Sequence, residues 1–374
     1  MKKVQPTFVD KVVRIVALLM AISLLIGCFA GDVDPRENRV IPFFGLAYPF
    51  LLLLNIFMIA WWCIRGRWMF AVLTVLVITV GWRALTATFS VTGDGGKGPK
   101  TDVSMIRMMT YNVHSFRPYD AGLLTDSSEA IKSKMLKLIE TENPDIICLQ
   151  EYYTRNKGSF HLTDSLKKIL KTAHYYFRPF SENDYEATGL AIFSKYPIKN
   201  RGNITFEPGR GGNESIFVDV EVNKKLIRVY NVHLQSIAFN KQDYQYLDKV
   251  TKKMDPELVP SKRILSMLNS AFLKRSGQVD IMKAHMDDCE MPFLIAGDFN
   301  DTPASYAVTQ LTGSLNNAFV KKGRGFGRTY NGKFPNFQID YIAATKDFKV
   351  INQRIVEAKL SDHFPVRSDL SLNP

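Results

Sequence analysis

The sequence predicts an α/β protein, a two-sheet sandwich preceded by an apolar N-terminal region with three membrane-spanning helices. Three observations predict this. Apolar runs of membrane-crossing length occupy the chain before residue 91, a Gly-rich break follows, and from Met105 onward many short strand signals mix with few helical ones.

Val12 to Ala30 is nearly free of charge, and about 20 apolar residues are what a helix needs to cross the hydrocarbon core. Ile41 to Ile64 forms a second run, and Trp68 to about Trp82 a third, across the tight turn Arg65-Gly66-Arg67. Trp61, Trp62, Trp68 and Trp82 stand at the run ends, where amphipathic rings favour the membrane interface. Lys2, Lys3, Lys11, Arg14, Arg65 and Arg67 belong inside by the positive-inside rule, so three crossings place the remainder outside the cytoplasm. Arg83, Lys97 and Lys100 count against that orientation. The expectation is a multi-pass protein of the inner or cytoplasmic membrane, in contact with the lipid bilayer, its membrane part spanning residues 1–91. Leu25-Ile26-Gly27-Cys28 also reads either as a lipoprotein processing box or as an ordinary helical cysteine.

The stretch 92–104, containing TGDGGKGPKT, reads as a flexible linker, and 105–374 as one globular domain. The net charge of +12 divides evenly. Residues 1–100 hold 11 Lys and Arg against 5 Asp and Glu, leaving +6 on each part, so a solvated basic surface is preferred to a dedicated polyanion groove. Four cysteines without CxxC spacing exclude a disulfide framework and a structural zinc site.

Met105 to Val113 reads as a strand, Ser127 to Glu142 as a helix with Ile131, Met135, Leu138 and Ile139 on one face, and Asp145 to Leu149 as a second strand. Asn143-Pro144 ends the helix. Further strands are expected at Gly189 to Phe193, Ser215 to Val222, Leu226 to Val232, Phe293 to Ala296, Phe337 to Ile342 and Phe348 to Val356. The long stretch between His233 and Pro292 should hold a helix presenting Ile264, Leu268, Ala271, Phe272 and Leu273.

Polar residues cluster where the apolar strands end. Asn112 ends MMTYN, Glu151 follows Leu149-Gln150, His233 ends IRVYNVH, and Asp298 and Asn300 follow FLIAG. Asp340 lies in FQIDYI, and Asp362-His363 in SDHFPV. Acids with Asn and His but few thiols suit a hard cation such as Mg²⁺, or Mn²⁺, and phosphate-ester hydrolysis needs such a set. Any one of these residues alone is more often a turn former or a surface group.

Seven blocks together resemble the endonuclease/exonuclease/phosphatase superfamily, also called deoxyribonuclease I-like. They are TYNV at 110–113, LQE at 149–151, IFSKYPI at 192–198, NVHL at 231–234, GDFN at 297–300, IDY at 339–341 and SDHFPV at 361–366. The resemblance implies a four-layer αββα sandwich with the active site at one edge. It implies Glu151, Asn112 and Asp362 as metal ligands, Asp298 and Asn300 on the attacking water and phosphate, and His233 on the phosphate. It further implies His363 as general base or phosphate-facing donor, with Asp340 on its other ring nitrogen; Asp298 is an equal candidate for the base. His114 stands where some DNA-repair members carry an acid. The implied activity is phosphodiester hydrolysis of nuclease type, on nucleic acid. Alternatives are hydrolysis of a phospholipid head group in the manner of a sphingomyelinase, and an inactive membrane-tethered binding module.

Overall fold

Strands β2 (Ile106–Asn112) and β3 (Ile146–Arg155) are parallel, joined by helix α5 (Ser128–Glu142), and their apolar runs are buried on both faces. Continuous rather than alternating hydrophobicity is what a strand covered on both sides requires. The computed structural model describes residues 8–373 apart from 119–127, 208–211, 238, 254–257 and 333–334, so Lys2, Lys3 and Ser127 lie outside the described residues. Two compact units divide the chain: residues up to Thr88 with Thr302–Thr309, and Phe89–Asp301 with Gln310 onward.

The first unit carries α1 (Phe8–Cys28), α2 (Ile41–Ile64), α3 (Trp68–Val80) and α4 (Trp82–Thr88). Two stretches, Phe8–Asp32 and Ile41–Ile64, are long and apolar enough to cross a membrane. The third expected span is corrected: α3 and α4 are bent by 76° at the break, and only together would they count as one. Thirteen residues of α3 rise about 20 Å, less than the roughly 30 Å hydrocarbon core. Gly81 sits at the break, and a Cβ there would lie 2.1 Å from Cys28 Sγ, so the close approach to α1 requires glycine. Asp10 pairs with Arg65 at 3.3 Å and Arg67 at 4.0 Å, and Arg83 pairs with Asp32 at 2.6 Å.

The second unit is an α/β sandwich of two mixed six-stranded sheets. The first sheet runs β13 (Phe348–Ile355), β14 (Val366–Leu372), β2, β3, β5 (Glu186–Ser194) and β4 (His174–Glu182). The second runs β10 (Asn316–Asn317), β12 (Asp340–Ala344), β9 (Phe293–Asp298), β8 (Lys225–His233), β7 (Glu214–Val222) and β6 (Ile198–Thr205). Alternate residues of the facing strands, among them Met108, Ile146, Ile192, Val218, Val229, Leu294 and Ile342, fill the space between the sheets. On the outer face of the first sheet, Met109, Ile147 and Leu149 pack against Ile131, Met135 and Ile139 of α5 and Leu166 of α6 (Leu162–Leu170).

The parallel pair β8–β9 is connected through α7 (Lys241–Lys253) and α8 (Leu258–Asp287). Ile264, Leu268, Ala271 and Phe272 are buried, and the α8 residue His285 accepts or donates a 3.0 Å bond at Tyr230 on β8. The Gly-rich stretch is bonded along its length. Strand β1 (Phe89–Ser90) pairs with β11 (Gly325–Phe326), Gly93 N–H donates to the Gly323 carbonyl, and Arg367 and Arg107 donate to the Gly96 and Gly98 carbonyls. Those arginines belong to a buried ionic network in which Arg107 grips Asp369 at 2.7 and 2.8 Å and Arg367 reaches Glu142 at 2.8 Å.

Strand boundaries differ from expectation near the site: β3 runs to Arg155 instead of ending at Leu149, so Glu151 lies within it, and β12 starts later than expected. Asp340 does not sit inside a strand from Phe337 but begins β12, because the ladder with β9 starts at the pair Asp340 and Asp298. Before it, the Phe337 carbonyl accepts instead from the Thr329 and Tyr330 amides.

Candidate active site

The register of the second sheet lines up polar residues across neighbouring strands. His233 lies opposite Asp298 on the parallel pair β8–β9, and Asp298 lies opposite Asp340 on β12. Each follows the inner-face alternation of its strand, so all three side chains continue the row of core residues where the strands end. Across from them the first sheet ends β2 with Asn112, opposite Gln150 of β3. Glu151 comes next, at an irregularity in the β3–β5 ladder, with φ of 50°. That bulge re-aims the carboxylate out of the strand's alternation.

Asp298 is the hub. Its Oδ2 accepts from Asn112 Nδ2 at 3.1 Å and lies 3.7 Å from His233 Nε2 and 3.6 Å from His363 Nε2. The other ring nitrogen of His363 meets Asp340 at 3.0 Å. Burial by itself would depress the imidazole, but the Asp340 and Asp298 charges outweigh it and hold His363 well above the ordinary histidine value. Burial raises the Asp298 carboxyl, with His363 opposing. The Asn300 backbone N–H donates to Asp298 Oδ1, and its side-chain amide donates to the Leu234 carbonyl at 2.9 Å, tying the ends of β8 and β9 together.

A second, more open group adjoins this one. His114 Nδ1 lies 3.7 Å from Glu151 and 3.5 Å from Asp362, so carboxylates from two parts of the chain converge there. Asn112 bridges the groups: its amide nitrogen donates to Glu151 at 3.2 Å, and its oxygen accepts from the His114 backbone. Glu151 and Asp362 are a third and a fifth exposed, which with their oxygen donors fits a hard divalent cation retaining water. The buried ligand atoms of Asp298, Asp340 and His363 also lie within 4.8 Å of one another. There, however, Asp340 already occupies His363 Nδ1, the arrangement of an acid–base relay.

Backbone strain marks the same place. His114, Ser115, Phe116, Glu151 and Asn300 all have positive φ without being glycine. Such conformations cost about 1–3 kcal/mol each and persist where surrounding structure enforces them.

Sequence reasoning missed the supports. Gln150 Nε2 donates to Asn231 Oδ1 at 2.6 Å, and Asn231 donates to the Leu149 and Ala191 carbonyls, which ties the sheets together beneath Asn112 and His233. Both residues stand in the quoted motifs, Gln150 one place from Glu151 and Asn231 two places from His233. Arg275 of α8 carried no signal. It is buried and donates to Asp301 and to the Gln235 carbonyl, each at 2.8 Å. His161, His174 and His285 lie away from the constellation.

A domain of unknown function (DUF8431) matches residues 10–88. No curated protein matches the chain. Among solved structures it is similar to the endonuclease/exonuclease/phosphatase from Bacteroides vulgatus, at 18% identity over 72% of this chain and 99% of that one, with a TM-score of 0.51. A family protein from Bacteroides thetaiotaomicron is 14% identical over 72% and 98%, also with a TM-score of 0.51. The human Nocturnin catalytic domain with bound sulfate anion is 18% identical over 72% and 95%, with a TM-score of 0.48. The two Bacteroides likenesses show the fold. The model of the Endonuclease/Exonuclease/phosphatase family matches residues 109–266 and 283–363, more than half of the chain, and to that family the protein belongs.

Proposed function

We propose that the protein is a membrane-displayed, metal-dependent phosphodiesterase of nuclease type. The observation that carries the reading is the buried Asp340–His363–Asp298 relay, with His233 Nε2 facing the same Asp298 oxygen as His363. His363, held by Asp340, or Asp298 itself takes a proton from the attacking water. His233 Nε2 faces the same carboxylate and would donate to a phosphate oxygen or the departing alkoxide. Asn112 links the relay to Glu151 and keeps the two groups in fixed register. Mg²⁺ or Mn²⁺, held by Glu151 and Asp362 beside Asn112, would supply positive charge to the non-bridging phosphate oxygens. A second reading, hydrolysis of a phospholipid head group, is favoured by the two apolar helices.

The test is a substrate panel on the full-length chain in detergent: RNA, DNA, bis(p-nitrophenyl) phosphate and phospholipids, with and without Mg²⁺. We expect divalent-metal-dependent cleavage of a phosphodiester, and no cleavage of any substrate with either metal would defeat the reading. Display outside the cytoplasm with Arg65 and Arg67 inside requires the bent α3–α4 pair to cross as a third span, since two spans alone would leave Phe89 onward on the inside. Protease added to intact spheroplasts should then digest the second unit, whereas protection until the membrane is opened would reverse the topology.

A further inference from the structure

The row that carries His233, Asp298 and Asp340 extends one strand further. Glu214, at the start of β7, is the cross-strand partner of His233, and it shares the inner face with Ile216, Val218 and Val220 of the core. Cross-strand partners lie on the same face, so the two side chains are neighbours. Both are more than nine-tenths buried, and each has one polar atom without a hydrogen-bond partner among the described residues: Glu214 Oε1 and His233 Nδ1. Buried polar atoms in folded proteins are mostly paired, and two orphans on cross-strand partners at the end of the catalytic row mark a place where a ligand atom completes the bonding. From the opposite sheet the Arg178 guanidinium on β4 comes within 3.8 Å of the other Glu214 oxygen, and it is half exposed. Burial pushes the Glu214 carboxyl up, with Arg178 opposing, in keeping with a site stripped of water.

We propose that Glu214 and Arg178 form a subsite beside His233 that takes a hydroxyl group on the substrate, next to the phosphate being cleaved. This rests on the phosphoesterase reading and narrows its substrate. The charges of the pair cancel. An ammonium head group would meet Arg178, an additional anionic group would meet Glu214, and a hydrocarbon chain would leave both orphan atoms unpaired. A hydroxyl answers every partner, donating to Glu214 Oε1 and accepting from Arg178, with His233 Nδ1 beside it. Strands stand about 4.8 Å apart, so the subsite lies one step beyond His233 and two beyond Asp298, within reach of the first group attached to the phosphate. Two sources supply such a hydroxyl: the ribose of a nucleotide, and a polyol head group.

The experiment uses full-length chain in detergent, Mg²⁺, and two pairs of diesters that differ only in hydroxyls. One pair is a ribodinucleotide and its deoxyribo counterpart. The other is p-nitrophenyl glyceryl phosphate and p-nitrophenyl propyl phosphate. For at least one pair the hydroxylated member should have a kcat/KM at least tenfold higher, and which pair shows it identifies the source. Glu214→Leu should bring that ratio close to one, Glu214→Gln, which keeps an acceptor oxygen, should leave it intermediate, and Arg178→Gln should lower it. A wild-type ratio near one for both pairs overturns the subsite. So does a ratio that survives Glu214→Leu while both rates fall together, since Glu214 would then act only through His233. Should the wild-type chain cleave none of the four, the phosphoesterase reading fails on its own. The subsite is then judged by calorimetry with glycerol 1-phosphate and propyl phosphate, where equal dissociation constants overturn it and a tenfold preference lost in Glu214→Leu upholds it.

Discussion

Glu151→Gln should lower phosphodiester turnover by at least about 10²-fold, the scale seen when one preorganised electrostatic group is removed from a hydrolytic site. The substitution keeps the volume and one acceptor oxygen but removes the charge that, with Asp362, would hold a divalent cation. The fold should tolerate it. Glu151 is partly exposed, sits at an irregularity of β3 rather than in its ladder, and receives one side-chain bond, from Asn112. Two measurements separate the explanations: thermal unfolding without metal should match the wild type, while Mn²⁺ titration should show weakened binding. Full turnover at saturating Mg²⁺ would remove Glu151 from the metal site.

Asp340→Asn should lower kcat by about 10²- to 10⁴-fold, the usual worth of a positioned acid–base group, with KM little changed. Asp340 begins β12 at one end of the row and holds Nδ1 of His363 at 3.0 Å, so it orients the imidazole and sustains its raised proton affinity. An amide there keeps the shape, yet it presents either an oxygen without charge or a donor that competes with the ring N–H. His363→Asn should cost about as much, and the double variant little more than either, because both act through one proton position. A kcat within threefold of the wild type in Asp340→Asn would assign the proton transfer to Asp298 alone.

How much of this was legible in the sequence depends on which forces left a pattern. Strands β2, β3, β8 and β9 carry buried apolar runs, and the polar residues that end those of β2, β8 and β9 or interrupt that of β3 stand out for that reason. Strand β4 did not show, since its residues are half exposed and Pro179 interrupts the pattern, as suits an edge. Strand β14 was hidden by Arg367, Ser368 and Asp369, which read as loop residues but are buried. The pairing of His363 with Asp340 was expected from an acid within an apolar run. The grip of Arg275 on Asp301 and Gln235 left no trace, because an arginine on a long helix most often faces water. The third membrane helix was misjudged for the opposite reason. Composition continues through Gly81, but the backbone turns there.

The pairing of β2 with β14 has a consequence for how the domain comes into being. Thr110 is hydrogen-bonded in register with Val366, and nearly all of the domain's sequence lies between them. A growing chain therefore holds β2 with one open edge through most of its synthesis, an adhesive row of unpaired amides and carbonyls. The same late segment brings Asp362 and His363, so the site cannot be assembled before the sheet closes. Contacts so distant along the chain form slowly. The proposed site is thus incomplete in every nascent form that lacks this segment, and is completed together with the strand that covers the open edge of β2.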